Sequence, residues 1–430
     1  MKTIRQAAGN PQASSTRAAS PSGEGRARPA SALERGLLKA MLAALGNPAV
    51  VLLAWDGEMI GGDGGDVRLR LRDPGALYRL ALDPEFQFGE LYSRGRLEVE
   101  GDLAALIEAI FAARGRGARR GARLASLAHP PRPNLPGMAG ANIQKHYDIG
   151  NDFYRLWLDT RMLYTCAYFP SPALGLEQAQ VAKMEHICRK LRLLPGERVV
   201  EAGCGWGALA LHMAREYGAV VRAYNLSREQ IAHARRRARE EGLDDRVEFV
   251  EADYREIEGR YDVFVSVGML EHVGHRHYKD FAGVVDRCLG ERGRGFIHAI
   301  GTDRPSPLNP WIERRIFPGA YPPSLREMLE VCEVAGFSVL DVENLRLHYA
   351  KTLEHWLARY EAAADQVEAM FGALFLRAWR RYLAGSLAAF RSGQLQLFQV
   401  LFQRAQNNDI PWSRTHLQGA ADSACDATMF

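Results

Sequence analysis

Three alternate glycines behind an acid-ended apolar run offer the first chemistry in this sequence. Arg198–Leu211 reads RVVEAGCGWGALAL: apolar residues ending in Glu201, then Gly203, Gly205 and Gly207, then apolar residues at helical spacing. The pattern predicts strand, tight turn and helix, with side chains removed where the backbone must bend and let a ligand lie against it. A dinucleotide-binding turn also begins G-x-G. Glu201 separates the two readings. An anion two residues before the first glycine is badly placed beside a pyrophosphate and well placed beside a cationic, amine-bearing methionine moiety. The cofactor this favours is S-adenosylmethionine. Farther on, Val220–Ser227 (VVRAYNLS) ends a second strand on polar Asn225, where ribose contacts are expected, and Glu251–Tyr254 (EADY) ends a third on Asp253 and Tyr254. Ends spaced this way line one sheet edge.

The elements that must position these residues are legible from about residue 191 to 345. Helices are expected at Ala208–Tyr217 and Ser227–Gly242, the second opening on Ser227 as a cap with Glu229 and Gln230 behind it. Asp262–Gly268 (DVFVSVG) and Gly295–Gly301 (GFIHAIG) are continuous apolar strands, and burial on both faces fits a mostly parallel sheet. The fold class is therefore α/β, a doubly wound, Rossmann-like methyltransferase domain, with a small α+β domain before it. Leu353–Leu401 reads as a long aromatic-rich helical region whose rings serve mainly as core, although an acyl-chain tunnel needs apolar walls too.

The small domain is read from Leu33–Leu45 at helical spacing, a buried strand at Ala49–Trp55, and Val67, Leu69 and Leu71 alternating with arginines. The expected order is a disordered tail at 1–32, this domain at 33–114, a basic Gly/Pro linker at 115–137, the methyltransferase domain at 138–405 and a loose tail at 406–430. With 430 residues, 47% hydrophobic and 25% charged, the chain has ordinary globular composition. Its longest uncharged apolar run is too short to span a bilayer, and a cytoplasmic protein is expected. Six scattered cysteines without a C-x-x-C pair argue against a zinc ribbon or a disulfide scaffold, and no metal site is expected. The net charge is +4, but six arginines and no acid lie between Arg114 and Arg132, a stretch suited to an anionic surface or simply to a solvated linker.

Several longer motifs resemble the cyclopropane-fatty-acyl-phospholipid synthase family. They are FGELYSRGRLEVEGDL at Phe88–Leu103, NIQKHYDIGNDF at Asn142–Phe153 and MLYTCAYF at Met162–Phe169, with GMLEHVG, FIHAIG and HYAKTL farther on. The resemblance implies methyl transfer to the double bond of an unsaturated phospholipid acyl chain, giving a cyclopropane. It carries a bicarbonate site to Cys166, Glu271, His298, Ile300 and Tyr349, and further cofactor contacts to Tyr164, Thr165, Ser227 and Gln230. An alkene is a feeble nucleophile, so alignment with the sulfonium methyl and exclusion of water dominate the first step. The resulting carbocation must then lose a proton, which calls for a base; bicarbonate held by Tyr349, His298 and an amide near Ile300 meets that need, with Glu271 accepting its proton. Taken singly, Glu271 also reads as a helix N-terminal acid, His298 as a core histidine and Cys166 as a small buried residue.

Two departures bear on the product. The second strand ends RAYNLS where the family has G-V-T-L-S, and Glu201-Ala202 replaces the usual Asp-Ile. Cofactor binding is expected to survive both, since Asn and Glu keep the polar and acidic contacts. The alternatives are a lipid C-methyltransferase giving a methyl-branched or methylene fatty acid, and a non-catalytic lipid-binding protein on the same fold. Nucleic acid is not an expected partner, because no base-recognition signature accompanies the arginines. A transient, peripheral contact with the inner face of the cell membrane is expected, and a homodimer is compatible with the reading.

Overall fold

Near-continuous burial along its strands dictates the larger sheet. The computed structural model describes residues 28–61, 67–113 and 149–417. The expected linker at 115–137 lies outside them, as do most of the N-terminal tail and the end of the C-terminal one. The chain divides into two compact units. The first gathers the residues before Arg132 with Asn309–Pro318 and Leu357–Ser392; the second holds Arg132–Leu308, Gly319–Trp356 and the residues from Gly393 onward.

In the first unit, β1 (Val51–Leu53), β2 (Met59–Ile60), β3 (Arg68–Leu71) and β4 (Leu97–Glu100) form a sheet in the order β2-β1-β3-β4. In β3 the leucines are buried and the arginines face outward, as their alternation predicts. The helix Ala32–Ala44 opens on a capping box in which Ser31 and Glu34 satisfy each other's backbone amides. The helices Pro84–Ser93, Pro310–Arg315 and Ala373–Arg391 belong to the same unit, and their meeting gives the Gly-Glu pair of FGELYSRG a structural reason. A Cβ on Gly89 would collide with the Trp311 ring. Glu90 Oε1 accepts from Trp311 Nε1 at 3.1 Å and from Arg315 Nε at 2.7 Å.

The second unit is built on seven strands. They are β5 (Arg198–Ala202), β6 (Val220–Asn225), β7 (Val247–Glu251), β8 (Tyr261–Val267), β9 (Leu289–Gly301), β10 (Phe337–Asn344) and β11 (Gln396–Arg404), in the order β10-β11-β9-β8-β5-β6-β7. The pairs among β5 to β9 are parallel, while β11 runs antiparallel to both β9 and β10. One expectation fails here. Leu353–Leu401 is not helical throughout: helices cover Arg346–Ala362, Ala364–Phe371 and Ala373–Arg391, and then β11 begins. Gly393, at a φ of +78°, sits in the turn that ends the helical run. QLFQVLFQR is then buried on both faces between β9 and β10, which erases the alternation that marks a half-wet strand.

Two apolar layers sandwich this sheet. Leu209, Leu211 and Met213 from the helix Ala208–Tyr217 pack with Val199, Val221 and Phe249 on one side; Phe281 and Val285 from the helix Tyr278–Cys288 pack with Val200, Phe264 and Ile297 on the other. Five tryptophans, Trp157, Trp206, Trp311, Trp356 and Trp379, are buried, whereas Trp412 is fully exposed. No helix among the described residues is long and apolar enough to cross a membrane.

Candidate active site

The glycine turn forms as its spacing predicts. The amides of Gly203 and Cys204 both donate to the carbonyl of Tyr224 on β6, at 2.9 and 3.0 Å, which folds the end of β5 back over its neighbour. A cleft enclosing about 760 Å³, open mouth included, lies above the turn, lined by Tyr164, Thr165, Glu201, Gly203, Gly205, Asn225 and Gln230 among others. A second recess of about 450 Å³ shares Gly203, Asn225, Met269 and His272 with it and adds Asp253 and Tyr254. A Cβ on Gly205 would meet no protein atom within 4 Å, so the space it faces is free for a ligand. Asn225 Nδ2 bridges the Gly205 carbonyl at 3.2 Å and Gln230 Oε1 at 2.6 Å.

Two expected cofactor residues have other duties. Ser227 lines neither cavity; its hydroxyl accepts from the Gln230 amide at 3.4 Å and caps the helix Arg228–Glu240. Gly207 is required by packing, because a Cβ there would lie 2.6 Å from Phe249 and 2.8 Å from Ala234.

The loop carrying Tyr164, Thr165 and Cys166 has no regular structure and is held by side chains instead. Tyr164 packs against Tyr154, Trp157 and Trp356, with ring centroids 5.2 to 5.4 Å away. Tyr168 is stacked between His186 at 4.1 Å and His348 at 4.9 Å. The Ala167 amide donates to Thr352 Oγ1 at 3.0 Å, one helical turn beyond Tyr349, which ties Cys166 to the helix bearing Tyr349. Trp206, at the cleft, donates its Nε1 hydrogen to Asn151 Oδ1 at 2.7 Å.

Glu271, His298 and Ile300 come together at the end of β9. The Ile300 amide donates to Glu271 Oε1 at 2.5 Å. The sequence reading reserves that amide for bicarbonate; here the carboxylate takes it, because the helix Leu270–Val273 packs on β9. His298 pairs in register with Gln399 of β11, and Gln399 Nε2 lies 3.2 Å from His298 Nδ1. With the amide nitrogen donating, the ring hydrogen of His298 resides on Nε2. Glu271 Oε2, His298 Nε2 and Gln399 Oε1 are buried without a hydrogen-bond partner, and so hold donor and acceptor capacity that a small anion with its own proton could use. Burial pushes the Glu271 carboxyl up to about 7 against the opposing pull of the Ile300 amide. Burial likewise holds His298 well below its usual range, hence neutral, and raises the Cys166 thiol, which donates to the Ala167 carbonyl at 3.1 Å.

The sequence reading missed Lys183, Gln399, Met269 and His272. Lys183 and Gln399 sit in a charged helix and an apolar run, and only burial distinguishes them from surface residues.

Over residues 137–400 the chain matches the family model described as mycolic acid cyclopropane synthetase. The chain belongs to this family. It is 37% identical over 385 residues to a probable fatty acid methyltransferase of Pseudomonas putida, spanning 84% of this chain and 94% of that one. It is 39% identical over 295 residues to the cyclopropane-fatty-acyl-phospholipid synthase of Escherichia coli K12, spanning 68% and 74%. Among solved structures, the mycolic acid cyclopropane synthase CmaA1 complexed with SAH and CTAB aligns with a TM-score of 0.59 at 32% identity, covering 62% of this chain and 98% of that one. Family membership makes the chain an S-adenosylmethionine-dependent methyltransferase that modifies lipid. The seven-stranded, mostly parallel sheet is the fold that this activity needs.

Proposed function

We propose that the chain transfers a methyl group from S-adenosylmethionine to the double bond of an unsaturated acyl chain in phospholipid, giving a cyclopropane. The observation that carries this reading is the set of buried, unpartnered polar atoms on Glu271, His298 and Gln399. Simple methyl transfer to an amine or hydroxyl does not call for such a set of buried polar atoms; loss of a proton from carbon calls for a base held in place. S-adenosylmethionine supplies an electrophilic methyl, whose carbon–sulfur bond breaks as the alkene π pair forms the new carbon–carbon bond. Bicarbonate, when held in the pocket, supplies the base for the carbocation that results.

The chain's own residues do the rest. Glu201 faces the amine of the methionine moiety, and Gly205 leaves room for the cofactor. His298, kept neutral, offers its Nε2 hydrogen to an anion, and Tyr349 offers its hydroxyl. Glu271 keeps one oxygen on the Ile300 amide and leaves the other to accept the proton released when the C–H pair closes the ring. Cys166 stays a thiol and takes no nucleophilic part.

In the same reading, residues 33–114 form a lipid-associated domain, the arginines of the linker touch the membrane transiently, and the protein works at the inner face of the cell membrane. A second reading ends the same cation differently, as a methyl-branched or methylene fatty acid. The similarity to a probable fatty acid methyltransferase over most of both chains favours keeping it. Expression in a bacterium lacking such an enzyme, followed by mass spectrometry of its fatty acids, tests both. A gain of one CH₂ with loss of the double bond and ring-derived fragments supports the cyclopropane; a branched fragmentation pattern supports the second reading; unchanged fatty acids overturn both.

A further inference from the structure

Lys183, on the helix Leu176–Leu191, is 1% exposed yet lines the cofactor cleft. Burying an ammonium is expensive unless it is paired, and a lysine carries three donors to satisfy. Among the described residues Lys183 makes one hydrogen bond, to Thr165 Oγ1 at 2.8 Å, and no salt bridge. Glu201 lines the same cleft, is 2% exposed, and leaves Oε2 without a partner. A buried lysine and a buried glutamate thus line one cavity with no hydrogen bond or salt bridge between them.

Burial brings Lys183 down to about 8, against the charges of Asp159 and Glu201, and lifts Glu201 to about 8, against the charge of Lys183. Lys183 has donors left for a carboxylate, and Glu201 Oε2 is left for an ammonium. An α-amino acid end carries both on a single carbon. Thr165 sharpens the point: its hydroxyl oxygen accepts from Lys183, so its own hydrogen is free to donate in turn.

We propose that Lys183 is a cofactor-binding residue: its ammonium, together with the Thr165 hydroxyl it orients, receives the α-carboxylate of the methionine moiety, while Glu201 receives the α-ammonium. The two residues form a clamp for a zwitterion. Its selectivity falls on the amino-acid end and leaves the adenosine end to Asp253 and Tyr254. The inference rests on the reading of the cleft as the cofactor site.

The test compares two ligands by titration calorimetry, S-adenosylhomocysteine and 5′-methylthioadenosine, which lacks the amino-acid end. In Lys183→Met the affinity for S-adenosylhomocysteine should fall about ten- to a hundredfold, the effect of losing a charge-assisted hydrogen bond. The affinity for 5′-methylthioadenosine should stay within about twofold of the parent, since it never engages the clamp. Without ligand, Lys183→Met should melt no lower than the parent, because a buried ammonium without a salt bridge has been replaced by an apolar chain of similar length. Thr165→Val should show the same ligand selectivity with a smaller loss. Equal losses for both ligands, or a lower melting temperature with no selectivity, would mean that Lys183 merely holds the loop and would overturn the proposal, as would unchanged affinity for both. Failure of the unaltered protein to bind S-adenosylhomocysteine would instead remove the cofactor reading itself.

Discussion

Replacing Glu271 by Gln keeps shape and packing while removing the carboxylate proposed to take up the proton. Glu271→Gln should fold and bind S-adenosylhomocysteine with unchanged affinity, yet lose about 10²–10⁴-fold in turnover; near-normal turnover would remove Glu271 from its role. The sign of the pH dependence follows from burial. The carboxyl is raised to about 7, so it is protonated and unable to accept below that pH, and turnover should climb as pH rises through about 7. That limb of the profile should vanish in the Gln variant. At Gly205 the backbone has a φ of +55° and the missing Cβ faces open cleft. Gly205→Val should therefore abolish cofactor binding, with a far smaller effect on the melting temperature than on affinity, as calorimetry and circular dichroism would report. Much at this scale is legible beforehand, because a glycine in a turn or an acid at a strand end leaves a local trace. Lys183 leaves none. In AKMEHICRK it looks like any charge on a solvated helix face, and only the fold puts it inside.

Strand β11 shows what an element adds beyond its own residues. Its register opposes Gln399 to His298, and the amide fixes which ring nitrogen carries the hydrogen. Gln399→Leu keeps the strand apolar and buried but frees the imidazole to exchange tautomers. Turnover should fall about tenfold or more, the usual cost of losing an outer hydrogen bond to a functional histidine. The apparent affinity for S-adenosylmethionine should hold, because Gln399 does not line the cleft; a parallel loss of both would mark a purely structural role. Elements β5 to β9 are readable in the sequence because each strand is a largely apolar run closed by a glycine, an acid or, in β6, Asn225. β11 is not. It follows three helices and is covered on both faces, so its apolar character continues theirs without a change of period that a reader could detect.

At the scale of the whole molecule, contacts regroup what the linear order separates. Asn309–Pro318 and Leu357–Ser392 belong with the N-terminal unit, far from it in sequence, and no composition shift announces this. Charge is the property that sequence does reveal at this scale: a net +4, with six arginines between Arg114 and Arg132 and no acid among them. Each arginine near an anionic leaflet contributes roughly 1 kcal/mol, screened by salt. Replacing Arg116, Arg119, Arg120 and Arg123 by Gln should weaken sedimentation with anionic vesicles at low salt and leave cofactor affinity untouched; equal sedimentation before and after would make the segment a spacer. The placement of the seven indoles has an optical consequence. Trp412 stands in water while Trp206 lines the cleft proposed for the cofactor, so a dissolved quencher should dim the red-shifted emission of the first and an adenosine ligand should perturb the blue-shifted emission of the second. The intrinsic fluorescence should therefore respond to solvent quenchers and to an adenosine ligand in different spectral regions, with no dye attached.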